Sequence, residues 1–408
     1  MPRSSSVSSL CCAVLAACVF VGCSVPNESS AAPEPVATSA VTTAKPELPA
    51  PQTVSLLAAG DNLIHSSLYK QAYRYAAAKG VDGYDFAPLY EQVAALIEAP
   101  DIAILNQETP IAGAIAAPST YPMFNSPVEL GRHMVDIGFD VFNHANNHIL
   151  DKGEKGVLAT LDFWDTLPEA TVVGAYRDEA DRDNIRTREA KGVSFSFLGF
   201  TYGTNGLTLP EGSSVQVIRN EDEARIEAQV KAADALSDIV VVSIHWGTED
   251  SHTITDAQRI LAQKMVDWGA DIILGTHPHV LQNVEFLTRE ADGFKALVVY
   301  SLGNFISAQS RPDNLIGGLL DFDVTKTWHE DGSATLAVTR AGMIPVVTQY
   351  EASYANVRVI PVASYTEELA RAHGLRAKHP KFSLAYVEQV LRDNIDPAFL
   401  PEELRNAA

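Results

Sequence analysis

The chain has 408 residues, 46% of them hydrophobic, and a formal net charge of −21. That length and apolar content suffice for one large α/β domain, or two ordinary ones, with a real core. The charge argues against nucleic acid or an anionic lipid surface as a docking partner, because the summed field repels both. A polyanion is compatible only where bound cations make one locally positive spot.

In chain order, residues 1–23 read as an export signal: Arg3 in a polar start, then an apolar stretch from Leu10 to Gly22 that is short for a membrane span. All four cysteines, Cys11, Cys12, Cys18 and Cys23, lie inside it. The remaining chain therefore has no disulfide and no thiol ligand, and any metal must be held by His, Asp, Glu and Asn. Phe20-Val21-Gly22-Cys23 followed by Ser24 resembles a bacterial lipoprotein box, and Leu15-Ala16-Ala17-Cys18 matches that pattern more closely; an ordinary secretory signal with incidental cysteines is the alternative. Cys23 is the better lipidation site, because cleavage before Cys18 would leave Val19 to Val21 at the new terminus. Residues 24–52, rich in Ala, Pro, Ser and Thr with six prolines from Pro26 to Pro51, read as a disordered tether. Extended at about 3.1 Å per residue, it would reach on the order of 80 Å. The expected location is the outer face of a bacterial cell membrane, anchored through an N-terminal lipid.

From Thr53 onward, strand-like runs alternate with amphipathic helices. Strands are expected at Val54 to Ala58, Ile102 to Leu105, Phe139 to Phe142, Val172, Phe195 to Phe200, Ile239 to Ile244 and Ile272 to Leu274. Helices are expected at Ser66 to Lys79, Ala87 to Glu98, Val128 to Ile137, Glu154 to Leu167, Glu221 to Leu236 and Asp256 to Trp268. Near-continuous apolar strands between helices predict a largely parallel, covered sheet. Beyond Ala296 the runs Ala296 to Tyr300, Gly318 to Val324, Ala334 to Thr339 and Val357 to Ile360 have few helices between them. They predict an antiparallel meander forming a second sheet packed on the first. The main domain is thus placed at 53–360, with 361–408 a charged helical extension.

Four of the apolar runs end in candidate metal ligands. Val54 to Leu57 leads to Asp61, with His65 after it; the run around Val141 and Phe142 leads to Asn146, Asn147 and His148. Ile239 to Ile244 leads to His245, and Ile272 to Leu274 leads to His277-Pro278-His279. Strand ends of open α/β sheets are where ligand sites assemble, so four such runs point to one metal centre. Glu108 follows the run Ile102 to Leu105 as a further candidate, and Asn106, Asn146, Glu249 and Asn304 fall near the same strand ends, as contacts to substrate or supports for the ligands. The mixture of carboxylate, amide and imidazole suits one or two divalent ions such as manganese, iron or zinc. Simpler roles fit several of these residues: Asp61 as a helix cap, Asn146-Asn147 as a left-handed turn, His65 as a surface residue and His144 in packing. Asp151 and Gly153 read as the start of the next helix, and His252, His329, His373 and His379 as surface residues.

This order of motifs resembles the CapA family of poly-γ-glutamate capsule synthesis proteins, a variant of the calcineurin-like metallophosphoesterase fold. The resemblance covers roughly residues 54–310 and continues weakly to 360. It implies an α/β fold of two packed mixed β-sheets flanked by helices, four layers in αββα order. By position it implies Asp61 and His279 on one metal, Asn147, His245 and His277 on the other, Glu108 as the bridge, and His148 as the catalytic group. Two departures stand out. Asp61 and His65 are spaced Asp-x-x-x-His where the general pattern has Asp-x-His, and Glu108 stands where that pattern has Asp.

The function expected from the resemblance is poly-γ-glutamate biosynthesis or export at the membrane, with a metal-dependent, hydrolase-like site acting on the anionic polymer. A general envelope phosphoesterase and a non-catalytic scaffold within a membrane synthase complex are the alternatives.

Overall fold

The computed structural model describes residues 48–113 and 115–405. The expected export signal, the expected lipidation site at Cys23 and nearly all of the expected tether lie outside the described residues. Fourteen strands are formed among those described: β1 (Gln52–Asn62), β2 (Ile102–Asn106), β3 (Val141–Asn143), β4 (Thr171–Val173), β5 (Arg186–Ala190), β6 (Val193–Thr201) and β7 (Ile239–His245). They continue as β8 (Ile272–Thr276), β9 (Leu281–Thr288), β10 (Lys295–Leu302), β11 (Asn304–Ile306), β12 (Ile316–Trp328), β13 (Ala334–Glu351) and β14 (Ala355–Pro361).

Two mixed sheets result. The first runs β14-β13-β12-β1-β2-β3-β4, with β11 added beside β1, and the second runs β5-β6-β7-β8-β10-β9. The α/β sandwich of two mixed sheets matches the expectation, but its division along the chain does not. The late strands do not form a sheet of their own, because β12 pairs antiparallel with β1 while β10 pairs parallel with β8. The sequence signal failed because both sheets mix parallel and antiparallel neighbours. The charged edge strand β5 (Arg-Thr-Arg-Glu-Ala) and the half-polar β9 also went unread, since a sheet edge does not need a continuous apolar run.

The layers follow from alternation along the strands. Val241 and Leu274 face the interior shared with Leu56 and Ile104 of the first sheet. Val240, Val242 and Ile273 pack instead with Ile226 and Val230 of helix Glu223–Asp234 and with Leu261 and Met265 of helix Asp256–Trp268. Strands covered on both faces have to be apolar throughout, which is why these runs were legible. Helix Asp256–Trp268 starts at a Thr255–Gln258 capping box and stops at Gly269 (φ +123°), a conformation costly for any other residue. Leu68, Leu130 and Phe163 bring helices Ser66–Ala78, Val128–Asp136 and Gly153–Trp164 onto the first core.

Residues after 361 join that core. Helix Leu384–Asn394 is capped by Ser383, whose hydroxyl accepts from the Tyr386 amide, and it buries Val387, Val390 and Leu391 against it. Each such side chain contributes roughly 2 kcal/mol of burial. His373, expected at the surface, is buried: Nε2–H donates to the Thr348 carbonyl at 3.0 Å, and Nδ1 accepts from the Leu375 amide at 3.0 Å. His252 is likewise half-buried, between the Leu281 carbonyl (2.7 Å) and Asp313 (3.3 Å). An imidazole with complementary partners on both nitrogens is readily buried, and no local pattern announces those partners. Among the described residues no helix is long and apolar enough to cross a membrane.

Candidate metal centre

The first sheet supplies acids and amides. Pairing of β1 with β2 and with β11 shifts register at Asp61, a bulge of the kind found beside functional sites. Gly60 permits the close approach, since a Cβ there would lie 2.0 Å from the Gly303 carbonyl oxygen. Asp61 is wholly buried. Its Oδ1 accepts from Asn106 Nδ2 at 2.7 Å, and its Oδ2 from the His277 amide at 3.3 Å and His279 Nδ1 at 3.0 Å. Asn106 is steadied in turn by Asn143 at 2.9 Å. Glu108, just beyond β2, is also wholly buried, yet among the described residues neither of its oxygens has a hydrogen-bond partner. Burial first, and then the Asp61 carboxylate, push its carboxyl well above the usual range.

The second sheet supplies imidazoles. His245 ends β7, with Nδ1 against Thr276 Oγ1 at 2.9 Å and Nε2 facing Asn147 Oδ1 at 3.0 Å. His277 and His279 follow β8 with φ of +98° and +59°. Such backbone costs on the order of 1–3 kcal/mol per residue and persists where its surroundings hold it; here the His277 amide is held by Asp61. Burial, then the neighbouring imidazoles, keep His245 well below its ordinary value and bring His277 down to about 3. Both are therefore neutral and able to bind metal. For His279, burial acts downward, but the Glu108 and Asp61 carboxylates outweigh it and raise the group to about 10.

Glu108 joins the two halves. Its Oε1 lies 3.7 Å from His245 Nε2 and 3.8 Å from His279 Nε2. Asp61, Glu108 and His279 each offer a ligand atom within 4.8 Å of the others, as do Glu249, His277 and His279. Ligands about 2.0–2.2 Å from one ion stand up to about 4.4 Å apart, so small side-chain movements close either triad. The residues fit a divalent cation. A buried carboxylate with both oxygens unpaired is costly, and a dication supplies what the protein leaves out.

The other expected residues take supporting places. Asn146 Oδ1 accepts from the His148 amide at 3.1 Å, while its Nδ2 donates to the Gln107 carbonyl at 3.1 Å. Asn304, on β11, faces His279 Nδ1 at 3.0 Å. His65 stands apart from both triads: its Nδ1 lies 3.2 Å from the Leu63 carbonyl and accepts from the Ala308 amide at 3.3 Å. Its ring packs edge-on against Phe124, and burial lowers it to about 4.

Two residues of the site went unread. Asp151, read as a helix start, instead places Oδ2 2.8 Å from His148 Nδ1 and also accepts from the Phe124 amide at 2.6 Å. The His148-x-x-Asp151 spacing was the available signal. Tyr202 lays its ring 4.3 Å from that of His277, while its amide donates to the His245 carbonyl at 2.8 Å. Burial, then Glu249, raise its hydroxyl to about 12. Nothing local marked Tyr202, because the contact exists only once β6 lies beside β7.

A model of the family described as bacterial capsule synthesis protein PGA_cap matches residues 55–309, more than half of the chain, including every side chain of both triads. The chain belongs to this family. This PGA_cap chain is 29% identical over 255 residues to the "PGA biosynthesis protein CapA" of Bacillus subtilis (strain 168), covering 61% of this chain and 63% of that protein. It is 32% identical over 206 residues to the "Capsule biosynthesis protein CapA" of Bacillus anthracis, covering 50% and 47%. The chain thus spans less than two thirds of the length of these curated relatives. Among solved structures it is similar to a putative 5′-nucleotidase from Staphylococcus aureus (TM-score 0.39, 13% identity, 72% of this chain and 55% of that one). Another is a 5′-nucleotidase from Candida albicans SC5314 (TM-score 0.36, 11% identity, 71% and 51%).

Proposed function

We propose that this PGA_cap chain is a metal-dependent hydrolase acting on poly-γ-glutamate during its synthesis or export. The buried, unpartnered Glu108 carboxylate between His245 and His279 carries the metal-dependent part of this reading. The names of the Bacillus relatives support the substrate. In this reading Asp61, Glu108, Asn147, His245, His277 and His279 hold one or two divalent ions. Such ions supply Lewis acidity toward a carbonyl or phosphoryl oxygen and make water acidic enough to attack near neutral pH.

The protein's own contribution is orientation and proton transfer. With Nδ1–H donating to Asp151, His148 keeps Nε2 as the nitrogen that gives a proton to the leaving group. Edge-on contact with Phe124 at 4.7 Å fixes the ring plane. The dyad favours chemistry over a purely scaffolding role, which needs no oriented imidazole. A dication among these carboxylates also makes the local field attractive to a polyanion despite the net charge of −21.

The decisive assay follows the chain length of poly-γ-glutamate, with a simple phosphoester as comparison, using manganese-loaded wild type and His148→Ala. Polymer shortening that the variant loses by about 10²-fold or more supports the proposal. Turnover of the phosphoester alone moves the assignment to an envelope phosphoesterase, and no turnover with metal bound moves it to a scaffold. The composition of residues 1–52 supports export and a lipid on Cys23, holding the domain outside the membrane near a synthase complex. Palmitate labelling that survives Cys23→Ser would overturn that anchor.

A further inference from the structure

The carboxylate of Glu249 lies outside the Asp61–Glu108–His279 triad, yet the fold holds it beside His277 and His279. The loop carrying it leaves β7 at His245 and is fastened to the histidine turn at both ends. The Trp246 amide donates to the Thr276 carbonyl at 3.1 Å, and the Asp250 amide donates to the Pro278 carbonyl at 2.9 Å. Between these clamps Gly247 (φ +87°) and Asp250 (φ +60°) take left-handed backbone. Trp246 is locked by its indole N–H on the Tyr300 carbonyl at 2.9 Å. Glu249 is therefore set opposite His277 and His279, with one ligand atom from each of the three inside 4.8 Å.

Its surroundings make this placement unfavourable without a cation. Glu249 adds a third carboxylate to a centre that already holds Asp61 and Glu108 around His279. His277 is 3% exposed, and its Nδ1 has no hydrogen-bond partner among the described residues. A buried imidazole with an unused nitrogen and a carboxylate within reach of the same ring are together the donors of a metal site.

We propose that Glu249, with His277 and His279, ligates a divalent cation at the solvent side of the centre, a place that His65 does not fill. The inference rests on the metal-dependent reading above. The two triads share His279, so this cation neighbours the one at Asp61 and Glu108 and competes with it for that imidazole. The Glu249 cation is the more weakly held and more exchangeable of the two, because its carboxylate is the exposed one.

The test is manganese binding by the intact chain, followed by titration calorimetry and electron paramagnetic resonance in wild type, Glu249→Gln and Glu249→Asp. Both variants should weaken the most loosely held manganese by at least about tenfold and change its resonance. Without metal their melting temperatures should be no lower than that of wild type, since Glu249 is exposed and makes no packing contribution to lose. Wild-type affinity in Glu249→Asp, with weakening only in Glu249→Gln, overturns the proposal: charge alone, not ligation, would then act. Unchanged binding in both variants overturns it equally and leaves the metal-dependent reading standing. Absence of manganese binding in wild type overturns both.

Discussion

The two sheets make opposite contributions to one centre. Beyond the parallel strands of the first lie Asp61, Glu108, Asn147, His148 and Asp151; beyond those of the second lie His245, His277 and His279. Alone, the first half would bury negative charge without compensation, while the second would bury mostly neutral imidazoles at little cost. Packing the sheets face to face turns two unremarkable halves into a cation site. His279 shows the coupling directly, since the other sheet's Glu108 and Asp61 raise it to about 10 against burial. His373, on the first-sheet side, spends both nitrogens on backbone groups, whereas His277 keeps Nδ1 free. Leftover hydrogen-bonding capacity, more than burial, separates a candidate ligand from a packing residue.

The strongest way to break this comparison is to remove the link between the halves. With manganese at a thousand times its dissociation constant, wild type should gain about 4 kcal/mol of stability. Glu108→Gln should gain almost none, as read by thermal melts with and without chelator. Equal gains would mean that the halves bind no shared ion.

A slightly smaller effect tests the packing histidine. Burial holds His373 at about 4, below the ordinary 6.5, so its contribution is fully present above pH 6.5 and is lost as pH falls through the window down to about 4. The expected loss is about 3 kcal/mol. The stability gap between wild type and His373→Gln, from urea unfolding, should narrow over that window; a constant gap would sink the assignment.

Asp151→Asn should lower turnover by about 10²-fold with metal content unchanged, because the Phe124 amide can still find an acceptor while His148 loses the carboxylate that orients its ring. Equal loss of metal would place Asp151 in the binding set instead. The smallest effect has the opposite sign. In metal-free protein Glu108→Gln should be more stable than wild type by about 2 kcal/mol, since it removes a buried, unpaired carboxylate. A destabilised metal-free variant would mean that the attraction between Glu108 and His279, 3.8 Å apart, outweighs the cost of burying the carboxylate.

Much of this was legible in one dimension. Ile239 to Ile244 and Ile272 to Leu274 were readable because strands covered on both faces must be apolar throughout, and the polar residue ending each run marked a strand end. The edge strands β5 and β9, the switch of β12 onto β1 and the burial of His373 were not legible. The edge strands are hidden by their polar composition, β5 pairing with the adjacent β6, whereas the other two depend on a partner distant in sequence: β1 for β12, Thr348 for His373. Asp151 stands at i, i+3 from His148, a spacing that an acidic helix start shares, so the sequence alone does not separate the two roles.

By itself the sequence determined which residue types reach the strand ends, because hydrophobic periodicity and turn chemistry act over a few residues. The tertiary structure alone decided which of them meet. The 3.0 Å contact between Asn147 and His245 and the setting of Glu108 within 4 Å of both His245 and His279 arise from packing one sheet on the other. Electrostatics between buried groups depends on distances through space, and the spacing of residues along the chain does not set those distances.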